Sequence, residues 1–292
     1  MESSQEEGLH EQDPAVAETP AEQIAAADQP PAQQSTSDDP IAARVINLAR
    51  RQDRWEKFLA WNGGIGLELT RQEAVDGRTL DIPALIMKGS LAPSVRGGNA
   101  AEVGCTLSHR AAWIVSANGN KPMLVIEDDT ILRFDFVERL RNIISQLPKQ
   151  WDIVLLGYNL NSILDIGLSG DIKFWARFAQ SDKASGQHIA PTDLSSQVAE
   201  FQRCATIPAL VTLNNAFGSC AYLISPAGAR KMLSTTSTLK PMNSVFESLG
   251  TSIKTVAVDV LLNSMYATGK AYTVVPPLAL PFNATGDSDI QR

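Results

Sequence analysis

The chain has too little cysteine to be held together by it. Its three, Cys105, Cys204 and Cys220, are odd in number and form no C-x-x-C pair, which argues against a disulfide framework and a cysteine zinc site and points to a reducing compartment. No apolar run approaches 18 residues, so no membrane-spanning helix is expected. The N-terminus is acidic and polar where a secretory signal has a basic start and an apolar core. The first forty residues contain no Lys or Arg, against ten acidic residues, and are rich in Ala, Gln, Pro and Ser. Such a segment buries too little apolar surface to offset the entropy of ordering it, and residues 1–40 read as a disordered acidic tail.

Beyond the tail the composition is ordinary for a folded enzyme. With 44% hydrophobic residues in 292, the chain can bury a sizeable core, and residues 41–292 read as one domain. The formal charge of −7 belongs to the tail, because residues 41–292 hold 25 basic against 22 acidic residues, about +3. A slightly basic body suits an anionic ligand, although three charges carry no strong preference. No nucleic-acid partner is expected.

The hydrophobic pattern alternates between strand and helix. Val45-Ile46-Asn47-Leu48 reads as a buried strand, and Trp55, Phe58 and Leu59 have helical spacing. A second strand is expected over Leu67 to Thr70, then an irregular stretch through Pro83 and Pro93 to Gly98. Val103, Leu107, Ala111 and Ile114 predict a helix over 100–117, stopped at Gly119. Met123-Leu124-Val125-Ile126 is the clearest strand, continuous enough to be covered on both faces. A helix over 134–147 and a buried strand over 151–157 come next. Residues 160–206 read as long loops or a lid. Further on come a strand at 219–225, a helix started by Pro226, and a strand at 256–259 leading into the helix Val260 to Tyr266. The fold class is α/β with a mainly parallel sheet.

Three acidic residues, Glu127-Asp128-Asp129, end the clearest strand. Alternation puts Glu127 and Asp129 on one side and Asp128 on the other, so that two carboxylates face one ligand. Open α/β sheets place their sites at strand C-termini, and oxygen ligands of this kind suit a hard divalent cation beside a phosphate leaving group. A solvated loop with a helix-capping Asp would show the same residues. A second cluster runs from Glu102 through Gly104, Ser108 and His109 to Trp113: Gly104 permits close backbone approach near a helix start, where free N–H groups attract phosphate. A lone histidine is more often structural. Asp259 stands at an apolar strand-to-helix junction and could equally cap that helix.

Taken in order along the chain, these motifs resemble glycosyltransferase family 25, the lipopolysaccharide and lipooligosaccharide galactosyltransferase-like group that also includes collagen galactosyltransferases. Val45 to Leu48 with Arg50, Arg51 and Arg54 is similar to the family's opening strand and turn; Glu102 to Trp113 is similar to its E-I-G-C-x-L-S-H-x-x-x-W segment, with Val103 for Ile. Val125 to Asp129 matches its EDD motif and Asp152 to Gly157 the strand after it. Ala221 to Ala229, Ala257 to Leu262 and Ser288 to Ile290 resemble its later signatures, with Ala257 in place of a usual Pro. Nothing in 160–206 matches, which leaves acceptor contacts unassigned.

The resemblance implies a GT-A-like nucleotide-sugar-binding fold and inverting transfer of galactose or glucose from a UDP-sugar to a glycan or glycolipid acceptor. It assigns Mn²⁺ or Mg²⁺ to Asp129 with Asp128, counts Asp129 among the catalytic residues, and turns Glu127 toward the donor's ribose or sugar. Asp259 becomes the base or a second metal-side carboxylate. Asn47, Arg50 and Arg54 border the nucleotide, and Glu102, Gly104, Ser108 and His109 lie about the donor pocket. A protein-modifying transferase and a non-catalytic binding protein on the same fold are the alternatives. The expected location is cytoplasmic, with at most peripheral attachment to the inner membrane face.

Overall fold

The protein is described by a computed structural model, which defines residues 41–159, 163–169, 172–177, 195–268, 270–282 and 289; the acidic tail lies outside the described residues. Strand β1 (Ala42–Asn47), helix α1 (Gln52–Asn62) and strand β2 (Glu68–Glu73) open the domain, followed by α2 (Ile82–Met87) and the long α3 (Ala100–Asn118). Next come β3 (Met123–Glu127), β4 (Thr130–Leu132), α4 (Phe136–Gln146) and β5 (Ile153–Gly157), then β6 (Ile163–Ser169), β7 (Ile172–Arg177), α5 (Ser195–Gln202) and β8 (Ala209–Ala216). The last part contains β9 (Ala221–Ile224), α6 (Pro226–Thr235), the hairpin β10 (Met242–Phe246) and β11 (Thr251–Thr255), α7 (Val258–Tyr266), β12 (Ala271–Val275) and β13 (Ala279–Pro281).

One mixed sheet orders its strands β2-β1-β3-β9-β5-β12-β8-β6-β7, with β4 and β13 paired beside β5. Parallel pairing holds for β2, β1 and β3 and again for β5 with β12. Strand β9 runs antiparallel between β3 and β5, and β8, β6 and β7 extend the sheet by antiparallel pairing.

Apart from Glu127 at the end of β3, the central strands β3, β9 and β5 have no charged residue because both sheet faces are covered. Val125, Leu155 and Tyr222 join one core with Val103 and Trp113 of α3 and Leu261 of α7, while Leu124, Ile126, Val154, Leu156 and Leu223 join the other with Phe58, Phe136, Leu140 and Ile143. Alternate residues therefore feed opposite cores, the period of two that a strand imposes. At α6 the sequence signal is direct: Ser225 accepts a hydrogen bond from the Gly228 N–H at 3.0 Å, and Pro226 takes the first turn, where it has no N–H to lose.

Three expectations need correction. The stretch before Gly98 contains helix α2, started by Asp81, whose side chain accepts from the Ala84 N–H; Pro83 in its first turn is compatible with a helix. The 160–206 region contains β6, β7 and α5 rather than loops alone, with 178–194 outside the described residues. Residues 256–259 are not a strand: β11 ends at Thr255 and α7 already begins at Val258. Among the described residues no helix is long and apolar enough to cross a membrane.

One packing detail builds a wall of the site. A Cβ on Gly104 would fall 2.6 Å from the Val75 oxygen and 2.8 Å from the Gly77 nitrogen, and one on Gly77 would fall 2.3 Å from the Ala100 oxygen. Helix α3 and the 75–77 loop thus touch backbone to backbone. Gly104→Ala should destabilise the domain by about 1–3 kcal/mol through forced separation of these backbones. Gly64→Ala, with nothing within 4 Å of its Cβ, serves as the control in the same thermal melts, and equal melting of the two variants would count against this packing account.

Candidate functional site

Strands β1 and β3 run side by side in parallel, with Ile46 opposite Glu127, so their C-terminal ends deliver Asn47 and the acidic triplet to one place. The acidic turn is gripped by backbone on both sides. Glu127 donates its N–H to the Cys220 oxygen at 2.8 Å, and Phe282 donates to the Asp129 oxygen at 2.8 Å. Asn62 at the end of α1 accepts from the Leu132 N–H at 2.9 Å and donates to the Thr130 oxygen at 2.8 Å, which fixes the strand after the turn.

Asp128 and Asp129 share one guanidinium, that of Arg54, which contacts Asp128 Oδ1 and lies 2.9 Å from Asp129 Oδ2. Asn47 donates to Asp128 Oδ2 at 2.5 Å and to the Arg51 oxygen at 3.0 Å, while Arg71 donates to Asn47 Oδ1 at 2.8 Å. Asp129 Oδ1 is buried and has no hydrogen-bond partner among the described residues. Burial pushes the Asp129 carboxyl up to about 7; Arg54 opposes the shift, and the charges of Glu127 and Asp128 add to it. Burial also raises Asp128, against Arg54 and Asn47.

The grouping differs from strand alternation. Because β3 ends at Glu127 and the chain turns there, Asp128 and Asp129 form the pair, and Glu127 faces elsewhere. Its Oε1 lies 3.5 Å from both the Ser219 hydroxyl and His109 Nε2. The His109 separation is electrostatic contact rather than a well-formed hydrogen bond. Burial works against the charge on Glu127, but His109 and Arg54 outweigh it and leave the carboxyl below its ordinary value.

Glu127, Asp128, Asp129, Arg54 and His109 line a cleft of about 130 Å³ together with Arg50, Asp76, Gly77, Arg78, Cys105, Ser108 and Asp289, whereas Asn47 does not line it and reaches it only through its bond to Asp128. Arg50 is held by Asp76 at 2.7 Å and Asp289 at 2.8 Å. Ser108 faces the cleft with its hydroxyl engaged, accepting from the Val75 N–H at 2.8 Å and donating to the Gly104 oxygen at 2.7 Å. Gly104 makes the close backbone approach, but toward the 75–77 loop: α3 starts at Ala100, so the Gly104 N–H falls inside the helical ladder, not among the free first-turn amides. Glu102 is set apart from the cleft, where its carboxylate accepts from the Thr255 hydroxyl and ties α3 to β11.

Asp259 is in the first turn of α7, where its carboxylate accepts from the Val260 N–H at 2.9 Å and from the Gly218 N–H at 3.4 Å. It does not line the cleft, yet it is close enough to Glu127 for that charge to add to the upward shift that burial gives it. Asn263, one turn later, clamps the end of β8 by accepting from the Ala216 N–H at 3.0 Å and donating to its oxygen at 2.9 Å.

Several residues of the site carried no role from sequence alone. Asp289 bridges Arg50 and Arg51, the latter at 2.6 Å, from the far end of the chain. Tyr222 reads as a core strand residue, and its contact with His109 exists only once β9 is packed under α3. Trp113 had a signal, since it stands one helical turn beyond His109.

Comparison with known proteins gives a consistent picture. The model of glycosyltransferase family 25 (LPS biosynthesis protein) matches residues 42–261. The human inactive glycosyltransferase 25 family member 3 is 28% identical over 265 residues, covering 84% of this chain and 37% of that protein. Human procollagen galactosyltransferase 2 is 32% identical over 125 residues, 39% of this chain and 20% of that one. A procollagen lysyl hydroxylase and glycosyltransferase of Acanthamoeba polyphaga mimivirus is 32% identical over 133 residues, 38% of this chain and 14% of that one. The chain therefore spans well under half the length of these relatives.

The raised Asp129 carboxyl has a measurable consequence. Between its ordinary 3.8 and about 7 the folded chain keeps a proton that the unfolded chain has released, so this group's contribution to stability falls as pH rises through that window. Asp129→Asn is neutral at every pH. Its melting temperature should drop less than that of the wild type between about pH 5 and about pH 8, whereas an equal drop would place the titration elsewhere.

Proposed function

The chain belongs to glycosyltransferase family 25, and we propose that it transfers a hexose, galactose for preference, from a UDP-sugar to a glycan acceptor with a divalent cation at Asp129 and Asp128. The observation that carries this reading is the charge of the cleft. Five carboxylates line it against three guanidiniums, so a nucleoside diphosphate arriving alone meets net negative charge. A divalent cation reconciles the two.

The residues fit such an ion. Among the described residues Asp129 Oδ1 is buried without a partner, and its neighbour Asp128 is held by Asn47 in a fixed orientation. Among the described residues no group of three His, Cys, Asp or Glu is arranged around one point. That is no obstacle for Mg²⁺ or Mn²⁺ beside a nucleotide, since one or two carboxylates and the phosphates commonly complete such a shell. When bound, the cation supplies charge neutralisation for the departing diphosphate. Arg54 then has to give up its bridge between the two carboxylates and becomes available to a phosphate oxygen.

The rest of the chemistry falls to the protein. A single displacement with inversion needs a base for the acceptor hydroxyl, and Asp259, whose basicity burial raises, suits that role. Glu127 faces the donor's ribose or sugar. The cleft's 130 Å³ is below the roughly 300–1,000 Å³ of most small-molecule sites, so the donor occupies it only with Arg54 displaced or with part of the sugar outside. A cytoplasmic enzyme acting on lipid-linked oligosaccharide at the membrane face is the setting we favour; a protein acceptor is the near alternative, given the names of the procollagen-modifying relatives.

A second reading has a specific observation behind it. Arg54 already bridges the carboxylates, as it would in a protein that binds a nucleotide or glycan without turnover, and one relative is named inactive. UDP release from UDP-, GDP- and CMP-sugars, with and without Mn²⁺, decides between them. Transfer predicts Mn²⁺-dependent release from one UDP-hexose, abolished in Asp129→Ala. Asp259→Asn should bind UDP normally yet lose about 10²–10⁴ in kcat; weakened UDP binding would instead move Asp259 to the metal side. UDP binding with no release, even when lipooligosaccharide and collagen-type acceptors are supplied, would favour the second reading.

A further inference from the structure

Three fully buried side chains behind the cleft form a chain of hydrogen bonds whose direction is dictated by their chemistry. Trp113 Nε1 lies 2.8 Å from the Tyr222 hydroxyl, and that hydroxyl lies 2.9 Å from His109 Nδ1. All three side chains have essentially no solvent exposure. On the other edge of the imidazole, Nε2 points at Glu127 Oε1 from 3.5 Å and has no closer partner among the described residues. The Tyr222 and His109 rings stack, with centroids 5.8 Å apart, so the imidazole plane is held as well as its edge.

An indole N–H can only donate, so the Tyr222 oxygen accepts from Trp113. The tyrosine then has one proton to place. The Tyr266 hydroxyl has no hydrogen-bond partner among the described residues and does not receive it. If Tyr222 donates to Nδ1, the imidazole is the Nε2–H tautomer, the indole and tyrosine hydrogens both have acceptors, and the remaining N–H faces a carboxylate 3.5 Å away. If instead Nδ1 carried the proton, the tyrosine hydrogen would be buried without an acceptor and a nitrogen lone pair would face the Glu127 carboxylate. Each of these faults is costly where water cannot help. A doubly protonated ring would also leave the tyrosine hydrogen unpaired.

We propose that Trp113 and Tyr222 lock His109 as its Nε2–H tautomer, making His109 a positioning residue whose single outward N–H holds the Glu127 carboxylate in place beside the donor. The part that concerns the donor rests on the function proposed above; the tautomer does not. Trp113 and Tyr222 are thereby tied to the site without touching a substrate. At 3.5 Å the contact is long for a hydrogen bond, so its hold on Glu127 is directional electrostatics.

Nitrogen-15 NMR of the imidazole side chains tests this directly. The chain has three histidines, His10, His109 and His188, so His10→Gln with His188→Gln leaves one ring to observe. The expected spectrum is a single neutral Nε2–H form, and Tyr222→Phe should convert it to mixed or Nδ1–H form. An Nδ1–H ring in the parent, or a tautomer indifferent to Tyr222→Phe, would overturn the proposal. In the donor-release assay Tyr222→Phe should lower kcat by about tenfold with little change in donor KM, the scale of one misdirected hydrogen bond to a charged group. A cycle with His109→Asn and Glu127→Gln should show the two losses to be non-additive; simple additivity would reduce His109 to a core residue. A locked Nε2–H ring in a chain that releases no sugar would sink the transferase reading alone, and turnover with the opposite tautomer would sink the relay alone.

Discussion

Three consecutive carboxylates at the end of a strand buried on both faces are the constraint around which the rest of this structure is arranged. Charges in that position are costly unless paired, and a flexible turn would relieve the cost by swinging them into water. Here it cannot. The backbone of the turn is bonded to Cys220 on one side and Phe282 on the other, so relief comes from side chains brought to the carboxylates: Arg54 and Asn47 to the Asp pair, His109 and Ser219 to Glu127. Burial raises the Asp129 carboxyl, and one guanidinium against two neighbouring carboxylates does not undo the shift. The resulting unsatisfied charge is a property of the sheet rather than of any one residue.

The second half of the chain supplies the opposite side of the site by equally specific links. Thr106 on α3 donates to the Val256 oxygen at 2.6 Å, seating the segment that leads into α7. Asn263 then fastens α7 to the end of β8, and the Gly218 N–H just beyond that strand reaches Asp259. A carboxylate more than a hundred residues from the acidic triplet is thus held within its electrostatic range without entering the same cleft. On the function proposed above, that separation would let one group of acids serve the leaving side and Asp259 the incoming hydroxyl.

The parts of this arrangement that were legible in the sequence are those written in local pattern. Continuous apolar runs betrayed β3 and β5, helical spacing betrayed α3, and Pro226 after Ser225 betrayed the start of α6. The ordered motifs pointed to the family, and of the residues they singled out Arg54, Glu127, Asp128 and Asp129 meet at the cleft while Asn47 and Asp259 stand outside its lining. What escaped was whatever depends on where a strand stops or on a distant partner. Alternation grouped Glu127 with Asp129 only under the assumption that β3 continued. Glu102 looked like part of the pocket because it is near Ser108 in sequence, but it lies in the first turn of α3, at Thr255. β6, β7 and β8 lacked a clear signal because the antiparallel extension of the sheet includes half-exposed positions such as Phe174 and Trp175, where period-two patterning is weak. Asp289 and Tyr222 acquire meaning only from tertiary contact.

Family membership leaves the question of turnover to the site itself, since a fold hosts active and inactive members alike. Retained carboxylates are a poor discriminator here, because they would attract Arg54 whether or not a cation ever replaced it. The buried hydrogen-bonded side chains behind Glu127 bear on that carboxylate in either case. Trp113, Tyr222 and His109 could be replaced by apolar side chains of similar shape at little cost to stability, as paired buried polar groups often can. Their presence in the middle of the larger core, where every unsatisfied hydrogen is expensive, is most simply understood if the orientation of Glu127 matters to what the cleft does.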